Sequence, residues 1–396
     1  MVRENSGIGV GMVFAGNGSR ADSPSTAFNN PAGMAFLSDK GFELGTTAIL
    51  PQMNFSGSAT VMGQPLPASG GSKDSKSVIP NLYWVFGNDR LAGGIAVTVP
   101  FGEGSEYDSN WAGRYLGIKT RAMTVDVNPN VAYRLTDTLS IGGGISAQYM
   151  KFDMSSALPQ FVMFGPGTPD ALYRFKADDW AVGFNLGVLW EPDTATRIGL
   201  TYRSKIDHGL KGTLDFTGAL PLLPLTSGAA SAGVRLPATA GFSITHDVTP
   251  GLSFSADVQY TNWSVLKQAI ITSANPPFPM PLGYRDSWFV SVGGSYDVNP
   301  ALRLRAGFGW DQTPVTDAFR AVNLPDTDRL LAGIGFTYRV TPELALDAGY
   351  QHSFPAHPSS MNTSVNNTDP LTQAVTLNGH YNVNVDVVAL SLRYKN

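Results

Sequence analysis

The chain has 396 residues and a formal net charge of −4, and only 15% of its residues are charged, against about 25% in an ordinary soluble domain. That balance offers nothing to the phosphates of a nucleic acid, and the lack of cysteine rules out disulfides and thiolate metal sites. Mean hydropathy is close to zero and no apolar run reaches the ~18 residues of a spanning helix, as expected if apolar and polar residues alternate in a β-barrel wall.

In chain order, Met1-Val-Arg-Glu-Asn-Ser6 is polar and shows no secretory signal, so it reads as an added start on a processed chain. Gly7–Gly18 is Gly-rich, and Asp22–Ala35 carries capping and turn residues suited to a short helix. From Gly41 a period-two pattern begins. It gives fourteen segments, at about 41–55, 78–87, 91–101, 121–135, 139–153, 178–191, 196–211, 239–247, 252–264, 285–297, 301–311, 328–340, 344–352 and 382–394. In 180–190, Trp180, Val182, Phe184, Leu186, Val188 and Trp190 share one face, with an aromatic at each end as in an interfacial girdle. In 302–311, Leu302, Leu304, Ala306, Phe308 and Trp310 oppose Arg303, Arg305, Gly307 and Gly309.

The connections alternate. Six are short: near-copies at Asp247-Val-Thr-Pro-Gly251, Asp297-Val-Asn-Pro-Ala301 and Arg339-Val-Thr-Pro-Glu343, with looser versions at 87–90, 135–139 and 191–195. The seven others are long and rich in Pro, Gly and Ser. An even number of strands with short turns on one side and long loops on the other is the layout of a bacterial outer-membrane barrel. The expected fold is therefore all-β, a 14-stranded antiparallel transmembrane β-barrel over 41–396, with residues 1–40 as a hatch filling the lumen. The last segment breaks the pattern. Val383, Val385 and Val387 share a face, whereas Val388, Leu390, Leu392 and Tyr394 lie on the other parity. Either a β-bulge near Val387–Val388 restores the register or one end of the strand lies outside the bilayer.

Asn30-Pro31-Ala32 after a Gly-rich start, Phe101-Gly-Glu-Gly-Ser-Glu-Tyr107 with Trp111-Ala-Gly-Arg114, and Asp178-Asp-Trp180 come in an order that matters. Gly199-Leu-Thr-Tyr-Arg-Ser204, Tyr260-Thr-Asn-Trp-Ser264, Trp310-Asp-Gln-Thr-Pro-Val315, Leu324-Pro-Asp-Thr-Asp-Arg329 and Asp347-Ala-Gly-Tyr350 follow. In this order and spacing the chain resembles the FadL family, outer-membrane channels for long-chain fatty acids and, in a TodX-like branch, aromatic hydrocarbons. The resemblance covers nearly the whole chain. One departure is the C-terminus, Leu392-Arg-Tyr-Lys-Asn396, where barrels of this kind usually end in an aromatic residue.

The resemblance implies a hydrophobic small-molecule substrate, no cofactor, no metal, no enzymatic activity, and a monomer among outer-membrane lipid and lipopolysaccharide. It implies capture in an apolar groove of outer loops, for which Phe161, Val162, Met163 and Phe164 and the run with Leu220, Leu222 and Leu223 are candidates; the alternative, compatible with the first, is that these stretches pack on each other as a loop core. It places Asn30, Pro31 and Ala32 at the hatch's gating turn, where a plain helix cap is the alternative. Pro100 falls in the third strand, and Pro cannot donate to a ladder. Pro100, Phe101 and Gly102 would then frame a lateral exit through an inward kink, unless Pro100 lies just past the strand end. The lumenal Arg203, Arg303 and Arg305 are candidates for a carboxylate head group, with Arg393 beside them, or else pair with Asp257, Asp347 and Asp22.

Two other function classes fit less well. A general porin for polar solutes does not need a plug or apolar loops. A hydrolase needs a nucleophile and base held together, and none of His208, His246, His352, His357 and His380 sits in such a motif. His352 and His357 have the spacing of a metal pair but lie in a Pro-rich stretch without further ligands.

Overall fold

The computed structural model describes residues 2–38, 40–66, 76–165, 167–218, 225–363 and 375–395, with side chains at all of these except 103 and 162. It is a closed antiparallel barrel of fourteen strands. In chain order they are β1 (Gly41–Val61), β2 (Ser77–Gly87), β3 (Leu91–Thr98, then Gly102–Glu106), β4 (Lys119–Thr136) and β5 (Leu139–Leu158). Next come β6 (Ala171–Trp190), β7 (Thr196–Arg203, then Ile206–Thr217), β8 (Gly228–Leu236, then Thr239–Thr249), β9 (Leu252–Thr261) and β10 (Ser287–Asn299). The wall ends with β11 (Leu302–Asp311), β12 (Arg329–Arg339), β13 (Leu344–Pro355) and β14 (Val375–Lys395). It closes where β1 pairs with β14, from Gly41↔Lys395 to Val61↔Val375, so that no edge is left there.

The six short turns share one chemistry. An Asn, Asp or Thr accepts hydrogen bonds from backbone N–H groups two or three residues on: Asn88, Thr136, Asp193, Thr249, Asn299 and Thr341. These local side-chain bonds fix a tight reversal without help from the core, which explains why the turns look alike in sequence.

Several strands run farther outward than the hydrophobic pattern indicates. β1 continues to Val61, β6 begins at Ala171, and the span expected to be one long loop, 212–238, contains the outer parts of β7 and β8. Beyond the bilayer the outward face need not be apolar: Lys211, Thr213 and Asp215 point outward there and erase the expected alternation.

β14 resolves its own ambiguity. Its pairing with β1 and with β13 runs through Val387 and Val388 with no register shift, so there is no bulge. Odd-numbered residues face in throughout. Val383, Val385 and Val387 point into an apolar lumen, while Val388, Leu390, Leu392 and Tyr394 face lipid. What changes along the strand is which side is apolar.

Residues 2–37 lie inside the barrel. Helix α1 (Gly7–Gly11) packs on β11–β14, and α2 (Thr26–Asn29) with the 3-10 turn Pro31–Ala35 packs on β2–β6. The hatch sits against glycines of the inward face. A Cβ on Gly335 would meet the Ala348 carbonyl oxygen at 2.6 Å and Gly11 Cα at 3.0 Å, and one on Gly142 would meet the Ala32 nitrogen at 2.5 Å. Backbone thus touches backbone, a contact only glycine permits.

Candidate functional site: a lumenal cavity at a break in the wall

Two regions of the lumen differ in chemistry. On the side of the short turns, polar groups tie the hatch to the wall. Arg393 forms an ion pair with Asp347 at 2.5 Å and donates to the Asp22 carbonyl at 3.0 Å, and Ser25 N–H donates to Glu43 at 3.1 Å. On the outer side an elongated cavity of about 360 Å³ opens between the hatch and the loops. Its walls include Ile49, Met53, Phe152, Phe175, Leu210 and Met280. Arg3, Glu4, Asp311, Asp326 and Arg329 line it as well. Arg3 reaches Asp311 at 3.1 Å and Gln259 at 3.0 Å and lies over the Phe289 ring at 4.2 Å. Arg329 reaches Asp311 at 3.3 Å and Asp326 at 3.5 Å.

The cavity extends to the place where β3 is interrupted. β3 pairs with β2 only as far as Val97↔Leu82, and its outer part pairs with β4 from Gly102↔Met123 to Glu106↔Lys119. Across that interval β2 residues Ser77–Asn81 pair with β1 and have no ladder partner on the β3 side. Two prolines, Pro80 and Pro100, border this break, as expected of residues that cannot donate to a ladder. Thr124 of β4 holds the displaced chain: its backbone N–H donates to the Phe101 carbonyl at 2.9 Å, and its hydroxyl receives the Phe101 N–H at 3.0 Å. Phe101, Gly102, Gly104 and Met123 all line the cavity, and Met123 is at the same time 42% exposed. The Phe101 ring meets Trp263 edge-on at 6.0 Å.

The hatch's first residues close this region from within. The Val2 N–H donates to the Pro100 carbonyl at 2.9 Å, and the Val2 side chain packs with Ile79 and Val99 on the two sides of the break. The Asn5 carbonyl accepts from the Tyr83 hydroxyl at 2.8 Å. Val2 and Arg3 also border a second, smaller cavity of about 90 Å³ with polar neighbours such as Asn17, Arg203 and Asp257. They form the partition between the two chambers.

The structure brings Pro100, Phe101 and Gly102 together at the wall break. Asn30, Pro31 and Ala32 lie on the other side of the hatch. The Asn30 amide donates to the carbonyls of Gly18 at 2.7 Å and Val188 at 3.0 Å, its oxygen caps the Ala32 N–H at 3.2 Å, and the Ala32 carbonyl accepts from Ser140 at 2.8 Å. Arg303 forms a bidentate pair with Asp297, both contacts at 2.6 Å. Arg305 lies 3.8 Å from Asp22, and Arg203 stacks on Phe28 at 4.0 Å, 3.6 Å from Asp126. None of these three lines the larger cavity; Arg203 lines the smaller one.

Phe161, Val162, Met163 and Phe164 form a single helical turn, in which Phe161 is half-buried near Tyr115 at 6.2 Å and Met163 is 65% exposed. Leu220, Leu222 and Leu223 fall outside the described residues. Sequence reading missed Arg3 and Arg329 as cavity cations. Arg329 was visible within Leu324-Pro-Asp-Thr-Asp-Arg329, but nothing in the alternation signalled that it faces the cavity.

A fourteen-stranded barrel with a folded-in hatch and an apolar outer chamber defines the class: an outer-membrane channel for hydrophobic molecules. Residues 1–395 match the model of the outer membrane protein transport family (OMPP1/FadL/TodX), and the chain belongs to that family. It is 29% identical over 390 residues to a long-chain fatty acid transport protein of Escherichia coli O6:H1, covering 89% of this chain and 86% of the relative. Outer membrane protein P1 of Haemophilus influenzae is also 29% identical, over 88% of this chain and 84% of its own length. The crystal structure of a Pseudomonas aeruginosa FadL homologue superposes with a TM-score of 0.91 at 28% identity, covering 100% of this chain and 99% of that one. The Pseudomonas putida toluene transporter TodX shares the fold, with a TM-score of 0.74 at 18% identity over 99% of each chain.

Proposed function

We propose that this chain is a passive outer-membrane channel for long-chain amphiphiles, with fatty acids as the favoured cargo. The observation that carries this reading is a mostly apolar cavity that touches the outer loops, the first hatch residues and the broken third strand at once. Cargo is caught among the apolar loop residues, including Phe161 to Phe164 and the Leu220–Leu225 run. It settles in the cavity and leaves sideways between β2 and β3 once Val2 withdraws from Ile79 and Val99. An apolar molecule following this route avoids water, whose exclusion supplies the driving force. Asn30, Pro31 and Ala32 act in gating by holding the hatch body still while its first residues move.

Cavity size and the relatives' names favour a chain over a single ring. An engineered apolar cavity of roughly 150 Å³ accommodates benzene, and this one holds about 360 Å³. The relatives named for long-chain fatty acid transport are matched at 29% identity, against 18% for the toluene transporter. A carboxylate head group would be met by Arg3 and Arg329, which can exchange part of their bonding to Asp311 and Asp326 for the ligand. The hatch filling the lumen beneath the cavity argues against a general porin.

The test is uptake by cells lacking their own fatty-acid channel. Radiolabelled oleate and radiolabelled toluene are compared, with wild-type protein and with Arg329→Gln. Oleate uptake that falls several-fold in the variant, with toluene unaffected, is the expected result. Uptake of toluene alone would overturn the fatty-acid reading, and a wide steady ion conductance in planar bilayers would overturn the hydrophobic channel.

A further inference from the structure

The outer surface of β4 to β7 carries a patch that the transport reading does not use. Tyr149 and Trp180, directly opposite each other on β5 and β6 with ring centroids 5.4 Å apart, mark the outer aromatic girdle. One step farther out along the strands the register reads Lys151↔Asp178↔Lys211, and the step after that reads Arg121↔Asp153↔Lys176. Arg121, Lys151, Lys176 and Lys211 are all exposed. With strands about 4.8 Å apart, these four cations on four adjacent strands span roughly 14 Å.

Three carboxylates, Asp153, Asp178 and Asp215, lie among five cations once Arg174 is counted, so the patch keeps a positive excess. Asp153 takes Arg174 in a bidentate pair at 2.8 and 2.6 Å, Asp178 accepts from Tyr149, and Asp215 accepts from Thr213 at 3.0 Å. Among the described residues, none of Arg121, Lys151, Lys176 and Lys211 forms an ion pair. The opposite side of the barrel differs. Outward positions in the outer part of β13, β14 and β1, among them His352, Phe354, Asp386, Asn384, Asn382, Gln52 and Asn54, include no Lys or Arg.

We infer that this face of β4–β7 is a docking site for a phosphorylated glycolipid of the outer leaflet, lipopolysaccharide. Its acyl chains would lie along Ile145, Val182 and Phe184, and its phosphates would meet the four cations. Charge complementarity selects this occupant. Lysine and arginine just beyond a girdle sit at headgroup height, where cations without an ion-pair partner gain charge-assisted hydrogen bonds from a phosphate. A second protein is disfavoured because the patch continues directly into the lipid-facing band.

The probe is lipid A in detergent micelles, with binding to the full-length barrel read by native mass spectrometry. The variant is R121Q/K151Q/K176Q/K211Q, with K151Q/K211Q as a lighter version. Folding is checked by heat-modifiable gel migration. Expected are one lipid A retained by the wild type, binding at least tenfold weaker in the quadruple variant, and equally weak binding of dephosphorylated lipid A to the wild type. Equal binding by wild type and quadruple variant, or no loss on dephosphorylation, would overturn the proposal. So would displacement of lipid A by equimolar inorganic phosphate, which would reduce the patch to an anion site.

Discussion

Two interruptions of the ladder contrast with each other, and both touch the cavity, one through Phe101, Gly102 and Gly104 and the other through Leu210. Between β2 and β3 the opening is flanked by Pro80, Pro100, Gly102 and Gly104 and is filled by one side chain of the hatch, Val2. Between β6 and β7 the ladder stops at Asn185↔Arg203 and resumes at Asp178↔Lys211, so β7 spends seven residues, Ser204–Leu210, against six on β6, Asp179–Phe184. There the wall itself makes the repair. Ser204 Oγ accepts the Phe184 N–H at 2.9 Å, Asp179 accepts the Gly209 N–H at 3.0 Å, and His208, 2% exposed, meets Gln148 at 3.1 Å. Ile206 is buried beside Gly183. A bulge whose backbone donors are taken up by the wall's own side chains remains wall, whereas a break filled by a side chain of the hatch can become a passage.

The largest effect should come from removing the difference at β3. P100V/G102V offers the strand a donor and two β-branched residues and favours continuous pairing with β2. Oleate uptake should fall at least tenfold while heat-modifiable migration stays normal. Normal uptake by a folded variant would sink the lateral route.

The converse change at β6–β7 should move stability and leave transport alone. S204A/D179N leaves the Phe184 N–H without its side-chain partner and weakens the bond to Gly209. A buried group left unsatisfied costs about 1–3 kcal/mol, read as an earlier urea midpoint in refolded protein. Uptake should stay within twofold of wild type. A large loss of uptake at unchanged stability would make this bulge a second working passage and erase the comparison.

The contrast also shows what was legible in the sequence. Fourteen strands and six turns could be read because lipid imposes one apolar face and the turn residues act locally. Pro100 could be read because a missing donor is written in the residue itself. The β6–β7 bulge could not. Ser204–Lys205 and Pro237–Ala238 shift the parity of β7 and β8 together, and each half-strand alone keeps a good alternation. The seat of the hatch was half visible in Gly187, Gly307 and Gly309, whose lumenal side suggests close approach without naming the partner. The cavity cations were hidden because Arg3 and Arg329 are brought to Asp311 by tertiary folding alone.

A smaller effect tests how the cavity wall opposite Phe101 is held. Trp263 sits on a 3-10 turn anchored by Asp286, which accepts from the Ser264 N–H at 2.8 Å, the Asn262 amide at 2.9 Å and the Tyr260 hydroxyl at 2.6 Å. Burial pushes the Asp286 carboxyl up, but the Tyr260 and Ser264 donors outweigh it and hold it at about 2, below its ordinary 3.8. A carboxyl depressed on folding contributes stability that is complete above its unfolded value and is lost as pH falls through its folded one. The Trp263 fluorescence, taken as the difference from a Trp263→Phe variant, should therefore be flat from pH 7 to about 4 and change only on the way down to about 2. Asp286→Asn should remove that acid transition and lower oleate uptake by no more than a few-fold, since Trp263 shapes the chamber and does not close the exit. A transition near pH 6, or one that persists in Asp286→Asn, would show that another group holds the turn.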